Sequence, residues 1–348
     1  MQTLQQNCKS PNRDPSIDEE VTLKIDSHQN SFGKSLLSPF LVNTLESPDF
    51  VFASYCPRHN MILGCFFNNT IKFYDASTLL PLEGRKTVQL DGYVTCMFYD
   101  DETDTFLIGC GSGSIHTYNA SSEELKKLRK YDYVQVATFL GSRFYALGYS
   151  KSRGLALGSL DNDDFSIVSL GSTRNSDCMT LKELPHKNLL LSSFENGFVR
   201  VYRTDKLPYL QNLCSLKACP TTGEWIAATE VINVNGKELI VTSGRNCTMK
   251  IWRLIKGKLK LLKIIHTLGR IHQLVYLENY KMIAALYDRS NKIGFWKLFS
   301  GKLERTLVCS KSEEIWSLMK DKNVIGGILG AEISSHSIGF FQLHPEGQ

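Results

Sequence analysis

The sequence predicts an all-β fold, a seven-bladed β-propeller of four-stranded antiparallel blades. Three observations carry this. First, one strand pattern recurs. Asn246-Cys247-Thr248-Met249-Lys250-Ile251-Trp252-Arg253 reads as a turn, then an alternating strand that ends on an aromatic and a polar residue. The same pattern stands at Asn69–Asp75, Gly113–Asn119, Gly197–Arg203, Asn291–Lys297 and Ser337–Gln342. Second, the aromatic near each end keeps a fixed step: Tyr74 to Tyr118 is 44 residues, Trp252 to Trp296 is 44, and Trp296 to Phe341 is 45. Third, the longer gaps fit the same step. Tyr118 to Tyr202 is 84 residues, two steps of 42, and Asp164–Leu170 between them keeps the alternation without the aromatic. Tyr202 to Trp252 is 50, one step with an insertion. A period of about 40–45 residues, with several short strands in each, is the mark of propeller blades.

On these residues the chain resembles the WD-repeat family of seven-bladed propellers, over roughly residues 47–348. Its repeats are degenerate. Where the family ends the strand on Trp-Asp, this chain has Tyr74-Asp75, Tyr118-Asn119, Tyr202-Arg203, Trp252-Arg253 and Trp296-Lys297, and no Gly-His dipeptide occurs. The fold is therefore expected to rest on strand packing and aromatics rather than on the family's His–Asp–Ser–Trp hydrogen-bond network.

In chain order, residues 1–18 are polar and read as a disordered tail. Residues 19–46 hold a strand, Val21–Ile25, and a linker from Ser31 to Ser47 into the first blade; the propeller spans 47–348. Blade one has strands near Val51–Cys56, Met61–Phe67, Thr70–Asp75 and Lys86–Leu90. Tyr93–Lys130, Tyr133–Gly171, Asp177–Leu216, Trp225–His266 and Arg270–Val308 supply the next five. Asn235-Gly236 is the strongest hairpin turn. The last blade offers only Ile315–Met319, Val324–Leu329 and Ser337–Leu343. An open ring would leave bare strand edges, so Val21–Ile25 is expected to close this blade from outside.

Composition excludes several classes. The net charge of +5 (40 basic, 35 acidic) is too mild for a specific nucleic-acid binder. Ten cysteines include no Cys-x-x-Cys pair, which excludes a zinc ribbon and reads as buried thiols of a reducing compartment, cytosol or nucleus. No apolar run reaches a membrane span and the N-terminus is no signal peptide. Sequons at Asn68, Asn119 and Asn246 are then turn composition.

No enzyme motif emerges. The eight histidines form no His-Glu-x-x-His, and there is no Gly-x-Ser-x-Gly. Gly109-Cys110-Gly111-Ser112-Gly113 lacks the Lys-Ser/Thr of a phosphate loop and reads as a hairpin turn. Asp161-Asn162-Asp163-Asp164 lacks the calcium-loop pattern and reads as a solvated turn. No catalytic residue, cofactor or metal is expected.

Two surfaces stand out. Aligning the first strand of every blade on Val51, Val94, Val134, Cys178, Ile226, Ile271 and Ile315 places Phe50, Tyr93, Tyr133, Asp177, Trp225, Arg270 and Glu314 just before them. The resemblance implies that this position opens onto one face around the central channel. Aromatics and arginine dominate binding hot spots, which suits a peptide or loop with an apolar anchor flanked by charge; the same aromatics would also serve as plugs between blades. Separately, Lys256, Lys258 and Lys260 alternate, and on a strand would put three ammonium groups on one face. That reads as a solvated edge strand guarded by lysines, or else as a patch for phosphate or anionic lipid.

The resemblance implies a non-catalytic scaffold or adaptor that binds one or more proteins of a complex. The alternatives are a hydrolase at the axial channel, as in the esterases among WD-repeat propellers, and an anion-binding propeller.

Overall fold

The computed structural model describes residues 40–46, 50–130, 133–149, 154–161, 165–168, 176–184, 187–219, 224–234, 236–308, 315–320, 327–332 and 337–342. The chain opens with β1 (Phe40–Glu46). Blade one follows as β2 (Phe50–Cys56), β3 (Met61–Phe66), β4 (Thr70–Asp75) and β5 (Val88–Gln89). Blade two is β6 (Val94–Asp100), β7 (Thr105–Cys110), β8 (Ser114–Asn119) and β9 (Leu125–Lys130). Blade three is β10 (Val134–Leu140), β11 (Phe144–Tyr149), β12 (Leu155–Ser159) and β13 (Phe165–Val168). Blade four is β14 (Cys178–Leu184), β15 (Leu189–Phe194), β16 (Phe198–Arg203) and β17 (Gln211–Lys217). Blade five is β18 (Ile226–Val234), β19 (Lys237–Gly244), β20 (Thr248–Ile255) and β21 (Lys258–His266). Blade six is β22 (Ile271–Leu277), β23 (Met282–Tyr287), β24 (Lys292–Lys297) and β25 (Leu303–Val308). The chain ends with β26 (Ile315–Lys320), β27 (Gly327–Glu332) and β28 (Ser337–Gln342).

These strands make six blades of four consecutive strands each, and a further four-stranded sheet in the order β1-β28-β27-β26 that joins the two ends of the chain. The first strands lie side by side around an axis: β2 by β6, β6 by β10, and on through β14, β18 and β22 to β26, which returns to β2. Every blade is therefore read outward from the axis, first strand innermost.

The closing strand differs from the sequence expectation. Phe40 stands opposite Gln342 and Glu46 opposite Ser337, so β1 holds the outer edge of β28. Val21–Ile25, assigned to that place from the sequence, lies outside the described residues, and part of the stretch read as a linker is the strand. Phe40-Leu41-Val42 supplies β-prone apolar residues, and β1 reaches β2 through a short connection, which topology favours.

A second correction concerns blade three. Asp164–Leu170 was read as the counterpart of the aromatic-ending strands, which are the third strands of their blades. β13, inside that stretch, is instead the outermost strand, paired with β12. The third strand is Leu155–Ser159.

Burial follows the layer. The second strands are buried along nearly their whole length, as in Met61–Phe66, Leu189–Phe194 and Met282–Tyr287. They are covered on both faces, so their sequence is a continuous apolar run rather than an alternation. Outer strands such as β17 and β21 are mostly exposed. The core lies between neighbouring sheets. Ile71, Phe73 and Leu90 of blade one pack with Phe106, Ile108 and Tyr118 of blade two. Met249 and Ile251 of blade five pack with Ile283 and Trp296 of blade six. The repeat aromatics are buried here: Tyr118 and Tyr202 are 1% exposed. Trp252 Nε1 donates to Thr242 Oγ1 at 2.9 Å, and Trp296 Nε1 donates to the Tyr287 hydroxyl at 3.2 Å.

Candidate functional site

The ends of the innermost strands surround the axis, and the residue before each first strand is fixed by a repeated backbone bond. The carbonyl of Tyr93 accepts from Gly111 N at 2.9 Å, that of Asp177 from Glu195 N at 2.9 Å, that of Trp225 from Arg245 N at 3.1 Å, and that of Arg270 from Asp288 N at 2.8 Å. Each donor opens the turn between the second and third strands of its own blade. One end of the inner strands thus carries two residues from each of these blades. The sequence reading found the first set and missed Glu195, Arg245 and Asp288. The signal was present in the pattern, since each directly follows a second strand.

Side chains at this position do different things. Tyr93 remains 44% exposed. Its ring lies over Gly111, where an added Cβ would sit 2.3 Å from Tyr93 Cζ. It also meets Tyr133 of blade three, with ring centroids 6.5 Å apart at 59°. Burial first, then the hydrogen bond with Tyr93, pushes the Tyr133 hydroxyl up to about 12, so it is neutral near pH 7. Trp225 is half-buried with the Arg245 guanidinium 4.2 Å from its ring centroid, a cation–π pair. Asn246 Nδ2 donates to Glu224 Oε2 beside it at 3.2 Å. Asp177 and Arg270 are half-buried, and Glu195, Asp288 and Arg289 are exposed.

The alignment slips at blade one. Phe50 stands opposite Phe66 at the register break, the place Val94 takes opposite Cys110 in blade two. Phe50 is therefore the first residue of the strand, not the one before it. Ile315 keeps the expected register opposite Glu332, and Glu314 lies outside the described residues. The face accordingly runs from a tyrosine pair on blades two and three, past Asp177 and Glu195 on blade four, to the Trp225–Arg245 pair on blade five and Arg270, Asp288 and Arg289 on blade six.

The lysines do not share one strand face. Lys256 (φ +48°) and Gly257 (φ +73°) form the two-residue turn between β20 and β21, the positive-φ geometry of a tight hairpin. Lys258 and Lys260 stand on β21 opposite Ile255 and Arg253. All three lysines are exposed.

One constellation resembles catalytic machinery. Ser121, His59 and Asp104 converge between blades one and two. However, Asp104 Oδ2 at 2.8 Å and Ser121 Oγ at 3.5 Å both meet the same ring atom, His59 Nε2. A Ser–His–Asp relay needs the carboxylate on one ring nitrogen and the hydroxyl on the other, so this group does not form one.

Among solved structures, the β-propeller domain of Cps50 (Swd1) from Myceliophteria thermophila matches with a TM-score of 0.74. It covers 88% of this chain and 100% of that domain, at 11% identity. The fold is a β-propeller. No family model matches the sequence, and no curated protein matches it. The propeller's likeness is therefore one of backbone, carried by strand order and not by motif residues. Among the described residues no helix is long and apolar enough to cross a membrane.

Proposed function

We propose that the protein is a non-catalytic interaction scaffold, a propeller of the WD-repeat kind with the composite end sheet as its seventh blade, working as a subunit of a multiprotein complex. The observation that supports this best is the channel-mouth face. It holds an exposed tyrosine braced by a second tyrosine and a glycine, an arginine stacked on tryptophan, and acidic residues between them. Preorganised aromatics and arginine are the residue types that carry protein–protein affinity. Such a face fits an extended segment with an apolar anchor, basic where it passes Asp177 and Glu195. The eight described cysteines are free thiols, which supports a reducing compartment, cytosol or nucleus.

The test is recovery of partners from the cell of origin at mild salt, comparing the full chain with Tyr93→Ala and Trp225→Ala. Each substitution is expected to weaken the main partner by about 2 kcal/mol or more while leaving the melting temperature nearly unchanged. If either variant instead loses about 3–5 kcal/mol of stability, as for a truncated core aromatic, these rings are inter-blade plugs and the docking site lies elsewhere.

A further inference from the structure

We propose that Cys56, His59 and Asp104 form a zinc-binding site at the seam of blades one and two, on the end of the ring opposite the channel-mouth face described above. One ligand atom from each, a thiol sulfur, an imidazole nitrogen and a carboxylate oxygen, lies within 4.8 Å of the other two. The mixture of S, N and O donors is what zinc accepts, whereas calcium and magnesium take oxygen donors.

The surroundings are those of a built site. Cys56 ends β2 and His59 lies three residues on in the following turn, so both ligands of blade one come from one tight Cys-Pro-Arg-His loop. The backbone N–H groups of Arg58 and His59 in this loop hydrogen-bond to the Cys56 sulfur. Asp104 comes from the turn between β6 and β7, where it holds a left-handed backbone (φ +53°) while only 3% exposed. The Tyr99 hydroxyl donates to Asp104 Oδ1 at 2.7 Å and also hydrogen-bonds Cys56, while Asp104 Oδ2 meets His59 and accepts from Ser121 Oγ. This is the outer support that orients metal ligands. His59 retains 27% exposure of its side chain, which gives an ion a way in. Asp91, Cys110 and His116 form a comparable group, but there the Lys127 ammonium holds Asp91 Oδ2 at 2.5 Å, a positive charge where a cation would sit.

Zinc titration of the full chain against a competing chelator tests this, together with cobalt substitution, whose thiolate charge-transfer band reports a sulfur ligand. One equivalent of zinc and a thiolate band are expected. Both should vanish in Cys56→Ser and in His59→Gln, the latter chosen because its partly exposed side chain is the least risk to folding. Cys110→Ser should bind as the native chain does. Tyr99→Phe should bind about 10–100-fold more weakly, as for loss of an outer partner. Zinc should raise the melting temperature of the native chain and not that of His59→Gln. Absence of stoichiometric zinc in the native chain overturns the proposal, as does undiminished binding by His59→Gln, or binding lost in Cys110→Ser instead.

Discussion

At the scale of single residues, the most informative position is one where the repeat lacks its signature. In blades one, two, four and six the third strand places an aromatic opposite the second residue of the second strand, as Tyr118 stands opposite Phe106 and Tyr202 opposite Leu190, and in the longer blade five Trp252 stands opposite Ile240. In blade three that place is Gly158, opposite Tyr145. A Cβ on Gly158 would lie 2.1 Å from Tyr145 Cζ, so the tyrosine ring covers the glycine. The aromatic of this pair stands on the second strand in blade three and not on the third. With no aromatic on the third strand, the cleaner alternation of the neighbouring Asp164–Leu170 mimics the repeat in the sequence. Gly158→Ala is expected to destabilise the protein by about 1–3 kcal/mol through overpacking. In a denaturation double-mutant cycle with Tyr145→Ala the losses should be less than additive; additive losses would mean that the two do not touch. The sequon asparagines are similarly local. Asn68 Oδ1 accepts from Thr70 N at 3.2 Å, and Asn119 Oδ1 accepts from Ser121 N at 3.1 Å and Ser122 N at 2.8 Å. Turn chemistry, not glycosylation, accounts for the Asn-x-Ser/Thr spacing. Asp91 gives a pH prediction. Burial would raise its pKa, but hydrogen bonds from Lys127, Ser114 and His116 outweigh this and hold it below the usual carboxylate range. A depressed folded pKa gives stability that is present above the unfolded carboxylate value and lost as pH falls through the folded one. Acid titration of the melting temperature should therefore show a smaller loss below about pH 4 in Asp91→Asn than in the native chain.

At the scale of elements, the strands were legible and their edges less so. Met61–Phe67 and Thr70–Asp75 were located to within a residue because β-prone runs end at turns. The first strands were harder. Each described one carries a register break near its start, as between Val94 and Cys96 or Ile226 and Ala228. The resulting bulge lets an apolar residue sit either side of the true opening position. At blade one the opening position belongs to Phe50, not to Val51, on which the sequence alignment rests. The lysine stretch was misread for a related reason: a strand alternation and a tight turn followed by a strand look alike when lysine holds the αL position that glycine or asparagine usually fills. β21 is a long outer strand with exposed Leu261, Leu262 and Ile264. Such an edge invites pairing with another chain, and lysines discourage it. Changing Lys256, Lys258 and Lys260 together to Gln should leave stability within about 1 kcal/mol and increase self-association, read by light scattering against concentration. Loss of binding to anionic vesicles or phosphate resin in this variant, with no change in association, would instead make the lysines an anion site.

At the scale of the whole molecule, the ring explains how so degenerate a sequence keeps one fold. Among the described residues, neighbouring blades from one to six bury apolar side chains against each other, so stability depends on these seams, and the seams need apolar volume rather than particular motif residues. The period therefore survived in the sequence where the Trp-Asp ending did not. Ring closure is the part least legible from sequence, because it depends on which of two strand-like segments reaches the free edge of β28. Strand counting predicts that an N-terminal segment does so and assigns Val21–Ile25, with Ser31–Ser47 as a linker. The strand at that edge is Phe40–Glu46, with β1 paired at six positions along β28. Removing residues 1–39 leaves this strand in place and should leave the melting temperature nearly unchanged. Removing residues 1–46 takes away six cross-strand pairs at roughly 0.2–1 kcal/mol each, a loss of about 1–6 kcal/mol, and bares an edge that should pair between molecules. Calorimetry and sizing of the two truncations check this. Equal melting temperatures would mean that β1 does not close the ring, and collapse of the shorter truncation would return the closing role to the residues before Phe40.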